Sequence, residues 1–438
     1  MNRGASMKIH RKCLPAACAA AVAAVSLQAQ AVRVDYVVDM GIERNDNVIM
    51  DPVDPATSSA VRTGFGLVLA EETSAVQANL AGRMEYWDYF EGPQSNAFEA
   101  SLVGRVNWFF VPETLSFTVE DSLEMRPIDR FAPDAPNNRQ RVNVLSLGPN
   151  LHFNWSQAVR GRAELRWIDS SAEQEDEFES ERLSASLHAI RTLDPTSTLT
   201  LSARGQDVDF DDPVARDYRR YDGYLRYNKT LSRTSFALDA GYTWVDYADG
   251  TSRSQPMVRA GAEWRLSPRN AFSLGLAHQL TDSSDSALLG IEAAVEVPDR
   301  LSSSASAVNS SMYENDRADL TWAYRHERVN FTAGPYYERI DYVDTGIFDE
   351  TRRGVVTQLS YQLRPTLHLN VFADAARSTF TGQDLRTEDR RYGAGLEKNW
   401  SRHWSSRLDY LHYRRSDDGL YGSARQNVLY LTVTYRNR

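Results

Sequence analysis

Arg160, Arg162, Glu164 and Arg166 occupy every second position of one stretch, with Leu165 and Trp167 on the interleaved positions. On an extended strand, residues two apart point to the same side. The stretch therefore carries three guanidinium groups and a carboxylate on one face and apolar side chains on the other. Such a row steers anions through a passage, or pairs with opposite charges on neighbouring strands. It holds no nucleophile and no proton shuttle. The same pattern puts Arg105, Arg204, Arg226, Asp239 and Glu397 on polar faces whose reverse is apolar. These nine residues are the candidate pore-lining set, and the sequence admits both roles for them, selectivity and wall pairing.

Other chemistry is sparse. The sequence has no nucleophile elbow, no P-loop and no His-rich metal spacing. Its eight histidines are scattered, and His326, His403 and His412 fall at or near turns and strand ends. Ser146 and His152 form a hydrolytic pair only if placed together by hand. No catalytic, cofactor-binding or metal-binding residue is assigned, and a non-enzymatic protein without cofactor is expected. The net charge of −10 argues against nucleic acid as a partner.

The elements that would carry these residues are strands. Around Arg353–Arg415, Thr357, Leu359, Tyr361 and Leu363 alternate with Gln358, Ser360, Gln362 and Arg364. Leu367, Leu369 and Val371 alternate with His368, Asn370 and Phe372. Tyr392, Ala394 and Leu396 alternate with Arg391, Gly393, Gly395 and Glu397. A period of two is the strand signature. Residues Phe236, Leu238, Ala240, Tyr242 and Trp244 repeat it, as do Leu199, Leu201 and Ala203.

Nine tight turns punctuate the chain, at Glu71–Ser74, Val111–Thr114, Trp155–Ala158, Leu193–Thr196, Leu231–Thr234, Ser267–Asn270, Arg325–Arg328, Leu363–Thr366 and Ser401–His403. Most are about 35–45 residues apart, which leaves room for two strands between neighbours. Longer charged stretches alternate with them, among them 45–57, 128–139, 209–216, 344–350, 381–387 and 416–419. Eighteen strands flank the nine turns, and one more at each end makes 20, within a range of 18–22. Short turns on one side, long loops on the other and an even count describe an outer-membrane barrel with periplasmic turns. The fold class expected is all-β, a single transmembrane antiparallel up-and-down β-barrel. Its apolar face meets lipid and its polar face lines the lumen.

Aromatic residues cluster near the expected strand ends: Tyr86, Trp87, Tyr89 and Phe90; Trp108, Phe109 and Phe110; Phe153 and Trp155; Trp244 and Tyr247; Tyr336, Tyr337 and Tyr342; Trp400 and Trp404. Interfacial girdles have this composition. The last strand, 427–435, puts Leu429, Leu431, Val433 and Tyr435 on one face. One interval breaks the spacing, 281–315, with an apolar run over 287–297. It folds inward as a constriction, caps the mouth, adds a hairpin or stays a surface loop.

Residues 1–31 read as a secretory signal peptide, with a basic start at Lys8–Lys12, an Ala-rich apolar core and an Ala29-Gln30-Ala31 cleavage site. Residues 32–438 are then the barrel. The chain's two cysteines, Cys13 and Cys18, lie in the signal, so the mature barrel has neither a disulfide nor a Cys nucleophile.

The first strand runs into Arg44-Asn45-Asp46-Asn47-Val48, an Asp-Asn-aliphatic box, and the hairpins repeat Ser/Pro/Arg/Thr turn chemistry, with openings such as Arg353-Gly354. In these features the chain resembles the β-barrel porin-2 family. The resemblance extends over nearly all of the mature chain; separately, the last strand looks like the C-terminal strand by which barrels are recognised for assembly, although it ends in Arg436-Asn437-Arg438 and not in an aromatic. The family resemblance implies an outer-membrane channel of a Gram-negative bacterium that takes part in exopolysaccharide export or surface polysaccharide assembly. A diffusion porin is the alternative, and a structural or adhesive barrel without transport is a third. The implied partners are outer-membrane lipid, the barrel-assembly machinery, polysaccharide and periplasmic export components.

Overall fold

The computed structural model describes residues 33–289, 291, 308–419 and 421–437. The signal-peptide expectation for 1–31 lies outside them. Twenty strands form one sheet. In chain order they are β1 (Arg33–Asn45), β2 (Ser58–Glu72), β3 (Val76–Glu91), β4 (Ala97–Val111), β5 (Leu115–Arg126), β6 (Gln140–Asn154) and β7 (Val159–Ala172). They continue as β8 (Ser180–Asp194), β9 (Ser197–Phe210), β10 (Tyr218–Thr230), β11 (Thr234–Tyr247), β12 (Ser252–Arg265), β13 (Asn270–Thr281) and β14 (Tyr313–Arg325). The last six are β15 (Val329–Tyr342), β16 (Glu350–Arg364), β17 (Leu367–Phe380), β18 (Leu385–Asn399), β19 (Trp404–Asp417) and β20 (Ala424–Arg436). Each pairs antiparallel with the next. Strand β1 also pairs with β20, from Val37 opposite Arg436 to Asn45 opposite Val428, which closes the ring.

All nine expected tight turns are present. The loop side is less uniform than expected: Ala248–Thr251 joins β11 to β12 in a short turn, and β18 already begins at Leu385 inside the expected loop 381–387. The described part of the long interval contributes one helix, α1 (Ser283–Leu289).

Each strand is sorted by side. On β20, Val428 and Tyr430 are buried while Leu429 and Leu431 are half exposed. On β1, Met40 and Ile42 are exposed at 58% and 55%, while Asp39 and Gly41 are buried. Leu183, Leu201, Leu225, Leu238, Leu363 and Leu396 continue this apolar band round the outer wall. A soluble monomer does not display so large an apolar surface, whereas hydrocarbon covers it without cost. The ladder satisfies the backbone internally and leaves no free sheet edge, as a membrane requires. Strands of 12 to 16 residues exceed the ~9–11 that a tilted span needs, so their ends extend beyond the bilayer.

The aromatic girdle holds in part. Phe110, Trp155, Trp244, Trp400 and Trp404 are exposed near strand ends. Tyr336 does not belong to it: it sits mid-strand on β15 beside the inward Arg352. Trp87 stacks on Tyr89 and lies under the buried Arg62, so this pair faces the interior. An aromatic on the inner parity of a strand packs on arginine instead of meeting lipid.

One set of contacts ties the seam, and a second lies beside it on the inner wall. Asp46 accepts hydrogen bonds from the Asn427 backbone N–H and side-chain amide, both over 2.6 Å. Buried Asn47 donates to the carbonyls of Asp51 and Arg425. The Asp-Asn box thus pins the first loop to the last strand. Beside it, Arg62 and Arg83 alternate with Asp39 and Glu85 in a closed, fully buried ionic square, with contacts of 2.5 to 2.8 Å. Gly64 leaves the space for it, since a Cβ there would lie 2.6 Å from an Arg83 nitrogen and 2.8 Å from the Asp39 carboxylate.

Candidate functional site: the barrel interior

Ser146 and His152 both lie on β6, six residues apart, which separates them by roughly 20 Å along the strand. They cannot act as a pair. Interest therefore moves to the charged inner wall.

The structure places eight of the nine candidate residues in ion pairs. Arg105 on β4 bonds Glu120 on β5 at 2.5 Å. On β7, Arg162 lies 2.6 Å and Arg166 3.3 Å from Glu164, and Arg166 also donates to Asn150. Arg226 holds Asp239 through two hydrogen bonds of 2.7 and 2.8 Å, and Arg259 on β12 approaches the same carboxylate at 3.0 Å. Glu397 sits on another wall with Arg436 at 3.3 Å. Arg204 pairs with α1, as described below. The ninth, Arg160, is exposed at the short-turn rim, between Asn154 and Ile190 in the ladder. The nine do not converge on one point. Arg105, Arg162, Glu164 and Arg166 share one patch of wall on β4 and β7, Arg226 and Asp239 stand on β10 and β11, Arg204 meets α1, and Glu397 stands apart with Arg436.

The loop half of the interior is filled. Helix α1 leaves β13 and turns inward, one of the alternatives open for this interval. Asp282 caps it, accepting from the N–H groups of Ser284 (2.9 Å) and Asp285 (3.1 Å). The same carboxylate accepts from Arg182 at 2.9 Å and from the Tyr218 hydroxyl at 3.0 Å. Asp285 accepts from Arg204 at 3.0 Å and Arg220 at 2.8 Å. Ser284 bonds Ser170 and Arg182, each at 2.9 Å. Ala287 packs into a cluster with Val142, Val144, Ile168 and Phe178. Asp282 and the seven-residue helix thereby touch β6 through β10. Burial pushes the Asp285 carboxyl up, but Arg204, Arg220 and Arg182 outweigh it and hold the group well below the ordinary carboxylate value.

The loop between β5 and β6 reaches the opposite wall. Arg130 donates to Glu350 and, at 3.1 Å, to the Tyr342 hydroxyl. Phe131 stacks on Phe348 and meets Phe380 edge-on. Arg415 donates to the carbonyls of Phe131 and Ala132. Asp134 is 3.2 Å from Arg391, and Tyr421 donates to Asp129. Burial and that carboxylate push the Tyr421 hydroxyl up to about 12. In a ring of twenty, β5 and β16 are nearly diametric, so these contacts bridge the mouth. A third tie joins Arg216 to Asp344 and, at 3.0 Å, to Asp249, which is pulled down to about 2 by the Thr251 hydroxyl and backbone N–H and by Arg216.

Sequence reasoning had Arg204 but missed its partners. Arg182, Arg220 and Asp222 lie on the same inner parity and were readable from it. Asp282 and Asp285 were not, because nothing in their loop announces a helix capped inside a barrel. The bridging loop 127–139 was read only as an external connection.

No family model matches the chain, and no curated protein does. Among solved structures, it is similar to the siderophore receptor PirA from Pseudomonas aeruginosa, at 13% identity and a TM-score of 0.46 over 93% of this chain and 81% of that one. It is also similar to the ferric enterobactin receptor PfeA in complex with BCV-L6, at 11% and 0.47 over 93% and 82%. The FrpB iron transporter from Neisseria meningitidis, F5-1 variant, gives 10% and 0.45 over 92% and 82%. Likeness at this level brings neither substrate nor mechanism to this chain, and it lends no support to the porin-2 resemblance in particular.

Proposed function

We propose that the chain is an outer-membrane channel for hydrophilic solutes, gated at its loop side. The observation that carries this reading is the contrast between the two surfaces of the wall: apolar outside, arginine and carboxylate inside. A protein that only needed a sealed core would fill its interior with apolar side chains, since buried ion pairs seldom add net stability over hydrophobic packing. Ion pairs do suit a lining that must stay hydrated and a gate that must release. The pore-lining role of Arg105, Arg160, Arg162, Glu164, Arg166, Arg204, Arg226, Asp239 and Glu397 belongs to this proposal. The finer reading is export of an acidic exopolysaccharide, in which arginines attract the sugar acids and inner aromatics such as Trp87 stack on the rings.

The first test is physical. The protein should fractionate with outer membranes and migrate faster on gels before boiling than after. If both results are negative, the barrel assignment fails. Conductance in liposomes then tests the channel, and normal surface polysaccharide after gene deletion would remove the export reading while leaving a porin. One observation favours a non-transporting barrel instead: the mouth is bridged by Arg130, Arg216 and Arg415. A chain that conducts under no condition would fit that reading.

A further inference from the structure

A buried cluster of six charged groups joins α1 to the wall. Arg182, Arg204 and Arg220 stand on the adjacent strands β8, β9 and β10, on the inner parity. In the ladder Arg204 pairs with Asp222 and Ser186, while Gln206 pairs with Arg220 and Ser184. The three guanidinium groups therefore share one patch of wall. Three carboxylates face them. Asp222 belongs to the wall and bonds Arg220 at 3.0 Å. Asp282 caps α1 and directly follows Thr281, the last residue of β13, and Asp285 lies within α1. Arg182, Arg220, Asp282 and Asp285 are all buried.

The balance depends on the helix. With α1 seated, three cations meet three anions. With α1 displaced, Asp285 leaves and the three arginines outnumber the remaining carboxylates, Asp222 and Asp282. Seven residues are too few for a helix that stands by itself, so α1 exists in this place because the patch and the nearby apolar cluster hold it. Guanidinium groups recognise any carboxylate through the same paired N–H donors.

We propose that Arg182, Arg204 and Arg220 form an anion-binding site which α1 occupies with its Asp285 carboxylate, and that a carboxylate-bearing saccharide competes with Asp285 for it. Binding of the saccharide displaces α1 and opens the loop half of the interior. The proposal rests on the channel reading above and supplies its substrate class and its gate. No covalent step is involved. The exchange replaces one carboxylate–arginine contact by another, so a multivalent ligand is needed to outweigh a tethered competitor.

The test uses the full-length mature protein, in detergent micelles for binding and in proteoliposomes for conductance. Tri-galacturonate is the probe and maltotriose the neutral control. Tri-galacturonate should bind and raise conductance, and maltotriose should do neither. Asp285→Asn removes the internal competitor and should bind the probe about tenfold more tightly, the scale of one charged hydrogen bond. Arg204→Gln should weaken binding by a similar factor. Ser170→Cys with Ser284→Cys, in a mature barrel that has no other cysteine, should abolish binding when oxidised and restore it on reduction. That arm stays informative if a charge variant fails to fold. If Asp285→Asn and the oxidised pair bind the probe as wild type does, the proposal is wrong, whatever the conductance. If no variant conducts but binding follows the expected order, the anion site stands and the channel reading falls.

Discussion

Arg204 and Asp285 stand 81 residues apart in the chain and 3.0 Å apart in the barrel. One belongs to the wall and the other to the only α-helix among the described residues. Their contact turns an uninterrupted lining into one with an occupant, and acidity tests it first. Asp285 titrates below its ordinary value of 3.8. A depressed carboxyl contributes its bonds at every pH above that value and loses them only as the pH falls through the lower, folded one. The groups facing it are Arg182, Arg204 and Arg220, with Asp222, Asp282 and Tyr218 behind them. Single-channel conductance should therefore be unchanged between pH 7 and about pH 4.5. Opening within that window would show that some other group holds the gate.

Asp239 neutralises two arginines, Arg226 and Arg259, on the open half of the wall. Asp239→Asn releases both into the lumen. In a salt gradient, the reversal potential should shift toward anion selectivity. An unaltered potential would place these residues outside the conduction path.

Glu350→Ala leaves Arg130 buried without its carboxylate. Breaking a buried pair from one side costs about 3–5 kcal/mol. The cost should appear locally, as protease cleavage within 127–139, because that loop and not the ladder loses its anchor. The gel shift on heating should persist. A chain that fails to fold at all would mean the bridge supports the whole barrel.

Leu201→Arg tests which side is lipid. On the outer face near the bilayer midplane an arginine costs about 2–4 kcal/mol. Urea unfolding from liposomes should show that loss, and Leu201→Ala should show much less. Equal effects would contradict a hydrocarbon boundary at β9.

Gly64→Val pushes a branched side chain into the square of Asp39, Arg62, Glu85 and Arg83. The heat-induced gel shift should occur at a lower temperature, while Gly261→Val, where a Cβ meets nothing within 4 Å, should leave it in place. Equal melting would make the square dispensable.

Strand number, turn positions and facing were legible because a sheet with two solvents must alternate along its whole length. Gln358, Gln362 and Glu397 were assigned inward, and Tyr361, Leu363 and Leu396 outward, from a rule that needs no tertiary knowledge. What fills the barrel was not legible. Loops 127–139 and 282–289 obey no period, and their direction is decided by partners far along the chain, such as Arg415 for Phe131, Glu350 for Arg130 and Arg204 for Asp285. Aromatic content near a strand end does not tell which side it faces, so Trp87, Tyr89, Tyr247, Tyr336 and Tyr342, all on the inner parity, were misplaced in the girdle. Of the candidate residues, the charge pairs on neighbouring strands followed from the register; the attachment of Arg204 to a helix did not.

The β1–β20 seam has a kinetic meaning. Every other strand pairs with its neighbour in the chain, so the ladder can grow hairpin by hairpin with short loop closures. The seam alone joins segments separated by almost the whole chain, and its entropy of closure falls due only once. Asp46 gripping Asn427 beside it is then a terminal clasp: contacts there should form last during assembly, and the slow phase of folding should respond to Asp46→Ala while the earlier phases do not.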